Sequence, residues 1–174
     1  MRRGAAAGLL ASLLVVATPA TPQALFPGAV ESLSGLRLRA VLPSAQYGPG
    51  EPIAVYCTFD NAGPGPVALR RDAPITATLV VDGAEKRFPQ ERPCHPTDTS
   101  NEGEWVVLAS GEHWTTCLTV RPPRTELLAG DHMLRVFCNL APGSSPPRGV
   151  RAPSGVLASD PVRLKIRYKV LWMG

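Results

Sequence analysis

At 174 residues, with 18 Lys and Arg against 14 Asp and Glu, the chain is long enough for one buried core and too short for two comfortable domains. Its formal charge of +4 is too small to argue for a nucleic-acid partner. The 19 Pro and 16 Gly stay below the share at which disorder becomes the default, and they cluster between alternating runs, as turns do.

The first 20 residues read as a secretory address. Arg2 and Arg3 supply a positive start, Ala5 to Ala17 form an apolar run too short to span a bilayer, and Thr18-Pro19-Ala20 offers small residues for cleavage. The expected product is secreted or periplasmic, with no membrane span. Losing Arg2 and Arg3 lowers the basic count from 18 to 16 against 14 acidic residues, for a mature charge of +2.

Residues 21–34 read as a lead-in, 35–170 as one β-sandwich domain and 171–174 as a tail. Leu36, Leu38, Ala40 and Leu42 alternate with Arg37, Arg39 and Val41, the period of a strand with one buried face. Gly48-Pro49-Gly50 sets a turn before the central strand, where Ile53, Val55, Cys57 and Phe59 alternate with Ala54, Tyr56, Thr58 and Asp60. Asn61 to Pro66 makes the next turn, and Val67 and Leu69 give a short strand ending in Arg70, Arg71 and Asp72. Ile75 to Val81 and Ala84 to Phe88 flank Asp82-Gly83, a strong hairpin signal.

Residues 89–103 carry no periodicity and read as a long polar loop. Glu104 to Leu108 is a strand, Ala109 to Glu112 a turn, and His113 to Val120 a strand with Trp114, Thr116, Leu118 and Val120 on one face. In Met133 to Leu140, Leu134, Val136, Cys138 and Leu140 alternate in the same way. A second long loop covers 141–157. The last strand sets Val162, Leu164, Ile166 and Tyr168 against Arg163, Lys165, Arg167 and Lys169, so its basic face is wet and its lysines discourage pairing with other chains. With no amphipathic helical stretch, the fold class is all-β: an immunoglobulin-like antiparallel β-sandwich of seven to nine strands.

Four cysteines in an exported chain imply two disulfides. Cys57 and Cys138 sit on apolar faces of alternating strands, which predicts a bridge through the core from sheet to sheet. Cys117 falls on the face opposite Trp114 and Leu118, and Cys94 lies in the polar loop, so their pairing would tie that loop to the sheet surface. A metal-handling alternative would draw on His95, His113 and Met133. The chain offers neither Cys-x-x-Cys nor a second close pair of zinc-finger spacing, and no cofactor is expected. Gly-x-Ser-x-Gly and His-Glu-x-x-His are both absent, so no catalytic residue is predicted and the chain is not read as an enzyme. Trp105 and Trp114 read as core, although an exposed pair would suit a sugar or a peptide.

The run from Leu36 to Pro66, with Tyr47, Gly50-Glu51-Pro52-Ile53, Val55, Phe59, Asn61 and Gly63, resembles the opening half of a bacterial extracytoplasmic immunoglobulin-like domain. Ser110-Gly111-Glu112, Ala129-Gly130-Asp131 and Ser159-Asp160-Pro161-Val162 look like later landmarks of such domains. The pattern is also similar to the family of bacterial intracellular proteinase inhibitors and to macroglobulin-type modules. His132 stands where such domains often place Tyr, and the four cysteines and two long loops are additions. The resemblance implies contact through loops at the sandwich ends. The expected activity is therefore a non-catalytic, monomeric binding module meeting a protein partner through loops 89–103 and 141–157, with inhibition of a proteinase as one form. The other reading is an accessory domain that joins a larger envelope assembly through its last strand.

Overall fold

The computed structural model describes residues 28–81, 84–91, 104–125, 129–141 and 145–168. Thirteen strands appear among them and no helix: β1 (Ser32–Leu33), β2 (Leu36–Val41), β3 (Gln46–Tyr47), β4 (Ile53–Asn61), β5 (Val67–Arg70), β6 (Ile75–Val81), β7 (Ala84–Arg87), β8 (Gln90–Glu91), β9 (Trp105–Leu108), β10 (His113–Val120), β11 (Gly130–Leu140), β12 (Gly155–Ala158) and β13 (Val162–Ile166). The excess over the expected seven to nine comes from short pairings inside segments that read as loops. β1, β3 and β8 are two residues each, too short for any periodic signal.

One sheet has the order β1-β2-β4-β10-β8, and the second has β3-β13-β11-β6-β7 with β12 also on β11. The runs β2-β4-β10-β8 and β13-β11-β6 correspond to the A-B-E-D and G-F-C orders of an immunoglobulin-type sandwich. The fold is therefore immunoglobulin-like. A third, two-stranded sheet, β5-β9, lies apart from both. Within the second sheet β11 is the spine: β6 runs along one side, and β13 and β12 share the other, joined through Ser159 to Pro161. Buried Ser159 holds that join, accepting from the Val136 N–H and donating to the Asp160 carbonyl.

The alternation that identified β4 is what the packing uses. Ile53, Val55, Cys57 and Phe59 are all at most 1% exposed, while Tyr56 between them is 43% exposed. They meet Leu134, Val136, Leu79, Leu118 and Leu164 in one core. Each such side chain contributes about 1.5–3 kcal/mol by leaving water. β6 and β7 pair with Val81 opposite Ala84, the register of the expected hairpin, whose residues 82–83 lie outside the described ones.

Twin turns deliver the two central strands of the first sheet. In Gly48 to Glu51 and again in Ala109 to Glu112, the fourth residue's N–H donates to the first residue's carbonyl, and its carboxylate accepts from the first residue's N–H. The third residue is Gly50 (φ 69°) or Gly111 (φ 81°), a backbone conformation that disfavours any side chain. β4 and β10 leave these turns and pair along their length, from His113 opposite Asp60 to Val120 opposite Ile53.

Three sequence expectations change. Ser32–Leu33, assigned to the lead-in, pairs with β2, and Val30 bridges to Leu157. The last strand is flanked on both sides, by β11 and by β3 in parallel, so its ladder is already in use, although Arg163 does stand on a wet face. The core bridge is not formed: Cys57 and Cys138 are both fully buried thiols. Alternation assigns a sulfur to a face, whereas an S–S bond of about 2 Å also demands matching Cβ positions across layers spaced about 10 Å apart.

Candidate functional site

β5 and β9 build a cleft at one end of the sandwich. Their antiparallel register sets Arg70 directly opposite Trp105. Leu69 and Val106 turn into the core, leaving Arg70 and Trp105 on the other face of the small sheet. The cleft, about 250 Å³ in volume, has Ala68, Leu69, Ala73 and Leu140 as its apolar lining, with Pro74, Ala141, Ala152 and Pro153 around them. Arg70, Asp72, Asn139 and half-buried Trp105 complete it.

The polar side of the cleft is pre-set. Asp72 accepts from both Nε (2.8 Å) and an Nη (2.6 Å) of Arg70, a two-pronged pairing, and Glu104 approaches the same guanidinium at 3.6 Å. The bond to Asp72 is the main cause of a raised Arg70 pKa. Because Asp72 is largely exposed, the pair fixes geometry more than it adds stability. Asn139 is also exposed, beside buried Leu140.

Of the segment expected to be a loop over 141–157, Gly155 onward is strand β12, and residues 145–154 before it are pinned along this end. The Arg151 carbonyl accepts from the Ala68 N–H, and Arg151 bridges in parallel to Val67 and donates to the Ser34 hydroxyl. That places Ala152 and Pro153 at the cleft. The Pro74 carbonyl accepts from the Asn139 N–H and closes the far side. Of the two loops expected to make contact, 141–157 thus reaches the site. In the other, Gln90–Glu91 form β8 and residues 92–103 lie outside the described ones.

The remaining sequence candidates separate. Cys117 is disulfide-bonded and only 4% exposed although it lies on the outer face; Cys94 falls outside the described residues, as does His95. His113 faces out from the first sheet and Met133 out from the second, so the structure does not bring them together. Trp114 is a core residue, its ring stacked on Phe59 at 5.6 Å, whereas Trp105 lines the cleft. Sequence reasoning missed the Arg70, Asp72 and Trp105 grouping. Its local half was visible as Arg-Arg-Asp after a short strand, but the register that brings Trp105 opposite is a long-range pairing.

No protein-family model matches the chain, and no curated protein matches it. Among solved structures it is similar to the sporulation control protein Spo0M of Bacillus subtilis, at 13% identity and a TM-score of 0.46 over 78% of this chain and 50% of that one. It is also similar to the CARDB domain of a Pyrococcus furiosus protein in complex with di-metal ions (10% identity, TM-score 0.36, 87% and 99% covered). A third likeness is to a PapD-like domain of human CEP192 (13% identity, TM-score 0.32, 91% and 98% covered). The chain spans half the length of Spo0M. At these identities and TM-scores the likenesses carry no functional argument.

Proposed function

We propose that the chain is an exported, non-catalytic binding module that meets a protein partner at the cleft between β5, β9 and the segment 145–154 that leads into β12. The observation that carries this reading is Trp105, half-buried in an apolar cleft beside a guanidinium already oriented by Asp72. Trp and Arg in a pre-formed pocket are the residue types that dominate binding energy at protein interfaces. The lining supplies a single carboxylate, Asp72, and that carboxylate is committed to Arg70. Such a set suits recognition better than proton transfer. Export is supported by the Arg2-Arg3 start and the apolar run behind it. We further propose Cys94 as the partner of Cys117, tying loop 89–103 to the first sheet.

The test is capture from the exported fraction with wild type, Trp105→Ala and a Tyr168→Ala control on an exposed residue away from the cleft. Wild type and control should retain one common partner, and Trp105→Ala should weaken it roughly thirtyfold, the scale of a central aromatic contact. Equal recovery on all three rejects the cleft as the contact surface. A proteinase as the captured partner, with its activity blocked by wild type and spared by Trp105→Ala, would establish inhibition as the form this binding takes.

A further inference from the structure

A parallel ladder breaks off at the cleft. The segment before β12 runs parallel to β5: Arg151 bridges to Val67, and its carbonyl accepts from the Ala68 N–H. The parallel pattern fixes the next rung, in which residue 153 would donate its N–H to the Ala68 carbonyl and accept from the Arg70 N–H. Residue 153 is Pro, which has no N–H to give. The rung is not made, and among the described residues the Arg70 N–H has no acceptor. Its direction follows from its neighbours. The Arg71 N–H donates toward β9, to Glu104, and the Ala68 N–H away from it. N–H groups alternate along a strand, so that of Arg70 points away from β9, to the edge where Ala152 and Pro153 line the cleft.

We infer that the partner completes this rung: an extended peptide segment enters the cleft and places a main-chain carbonyl on the Arg70 N–H, where Pro153 leaves the ladder unfinished. The inference rests on the cleft being the contact surface and names the element that enters it. Strand alternation turns the adjoining side chain of that segment to the face that carries Arg70 and Trp105. Two more groups line the cleft without a described partner, the Trp105 indole N–H and the Asn139 side-chain amide, and both are donors suited to carbonyl oxygens. Charge selects a neutral acceptor. Arg70 and Asp72 cancel in the lining, so a carboxylate would add a net negative charge beside Asp72, whereas an amide carbonyl adds none. Main-chain bonds to an open strand edge, with a side-chain pocket next to them, are a recurring way of recognising extended peptides.

Hydrogen exchange tests the free chain first. The Arg70 amide should exchange about tenfold or more faster than those of Ala68 and Arg71, whose bonds are made. Short linear peptides from a randomised display library, selected on the full chain, are then the probe. Those that bind should slow Arg70 exchange by about tenfold or more, and should bind as well with an amidated C-terminus as with a free acid. Pro153→Ala supplies the absent N–H, so it should protect the Arg70 amide in the free chain and weaken the peptides about tenfold. An Arg70 amide already as slow as that of Ala68 in wild type overturns the inference. So do selected peptides that leave its exchange unchanged or bind only as free acids, and a folded Pro153→Ala variant that binds them like wild type. A library that yields no peptide also overturns it, while a partner lost to Trp105→Ala would still uphold the cleft as a contact surface for a folded protein.

Discussion

Asn61 and Tyr47 show how single buried polar groups shape this molecule. Asn61 is 1% exposed; its amide nitrogen donates to the carbonyls of Gly65, Leu108 and Ala109, and its oxygen accepts from the Gly63 N–H. One side chain thus binds the turn after β4 to the turn before β10. Asn61→Ala strands several of these groups and should cost about 2–3 kcal/mol. Asn61→Asp should cost more, since a carboxylate would face three carbonyl oxygens. Urea denaturation compares the two directly. Tyr47 is 6% exposed with its hydroxyl unpartnered among the described residues, and burial pushes its pKa above the ordinary 10.0. The unfolded chain therefore releases the phenol proton first, near pH 10, while the folded chain still holds it. Stability is intact below that pH and declines as pH rises toward the folded value. Tyr47→Phe should lose less stability than wild type between about pH 9 and pH 11, and should be close to neutral at pH 7 because an unpaired hydroxyl is removed.

At the scale of elements, the most economical device is Gln90. Its backbone lies in β8 against Val120 of β10, in the first sheet, while its side-chain amide accepts from the Ala77 N–H and donates to the Ala77 carbonyl in β6, in the second. The amide stands in for one more residue of β7 where that strand has ended. Gln90→Ala should cost about 1–2 kcal/mol in denaturant and accelerate hydrogen exchange at Ala77, with little change at the far end of β6. The sequence showed a Gln in a polar loop and nothing else, because a side chain completing a sheet edge has no periodicity to betray it. The turns were legible for the opposite reason. Gly50-Glu51 and Gly111-Glu112 announce a positive φ and a capping carboxylate within four residues, so the local sequence specifies them whatever surrounds them.

For the whole molecule, legibility follows the same division. The faces of β4, β10 and β11, the hairpin register and the sandwich class were readable because alternation is local and the core obeys it. The cleft, the β5-β9 sheet and the state of Cys57 and Cys138 were not, since each depends on how distant segments are juxtaposed. β11 carries a final consequence. β6, β12 and β13 all dock on it, yet it begins only at Gly130, three-quarters of the way along the chain. As the ribosome releases the polypeptide, the earlier hairpin of β6 and β7 waits with Ala77, Leu79 and Val81 uncovered, and a fragment ending before that point has nothing on which to close half of the sandwich. Closure of the second sheet is thereby deferred until β11 has followed β6 and β7 by about fifty residues, so the contacts that hold this half of the sandwich are made late and over long range.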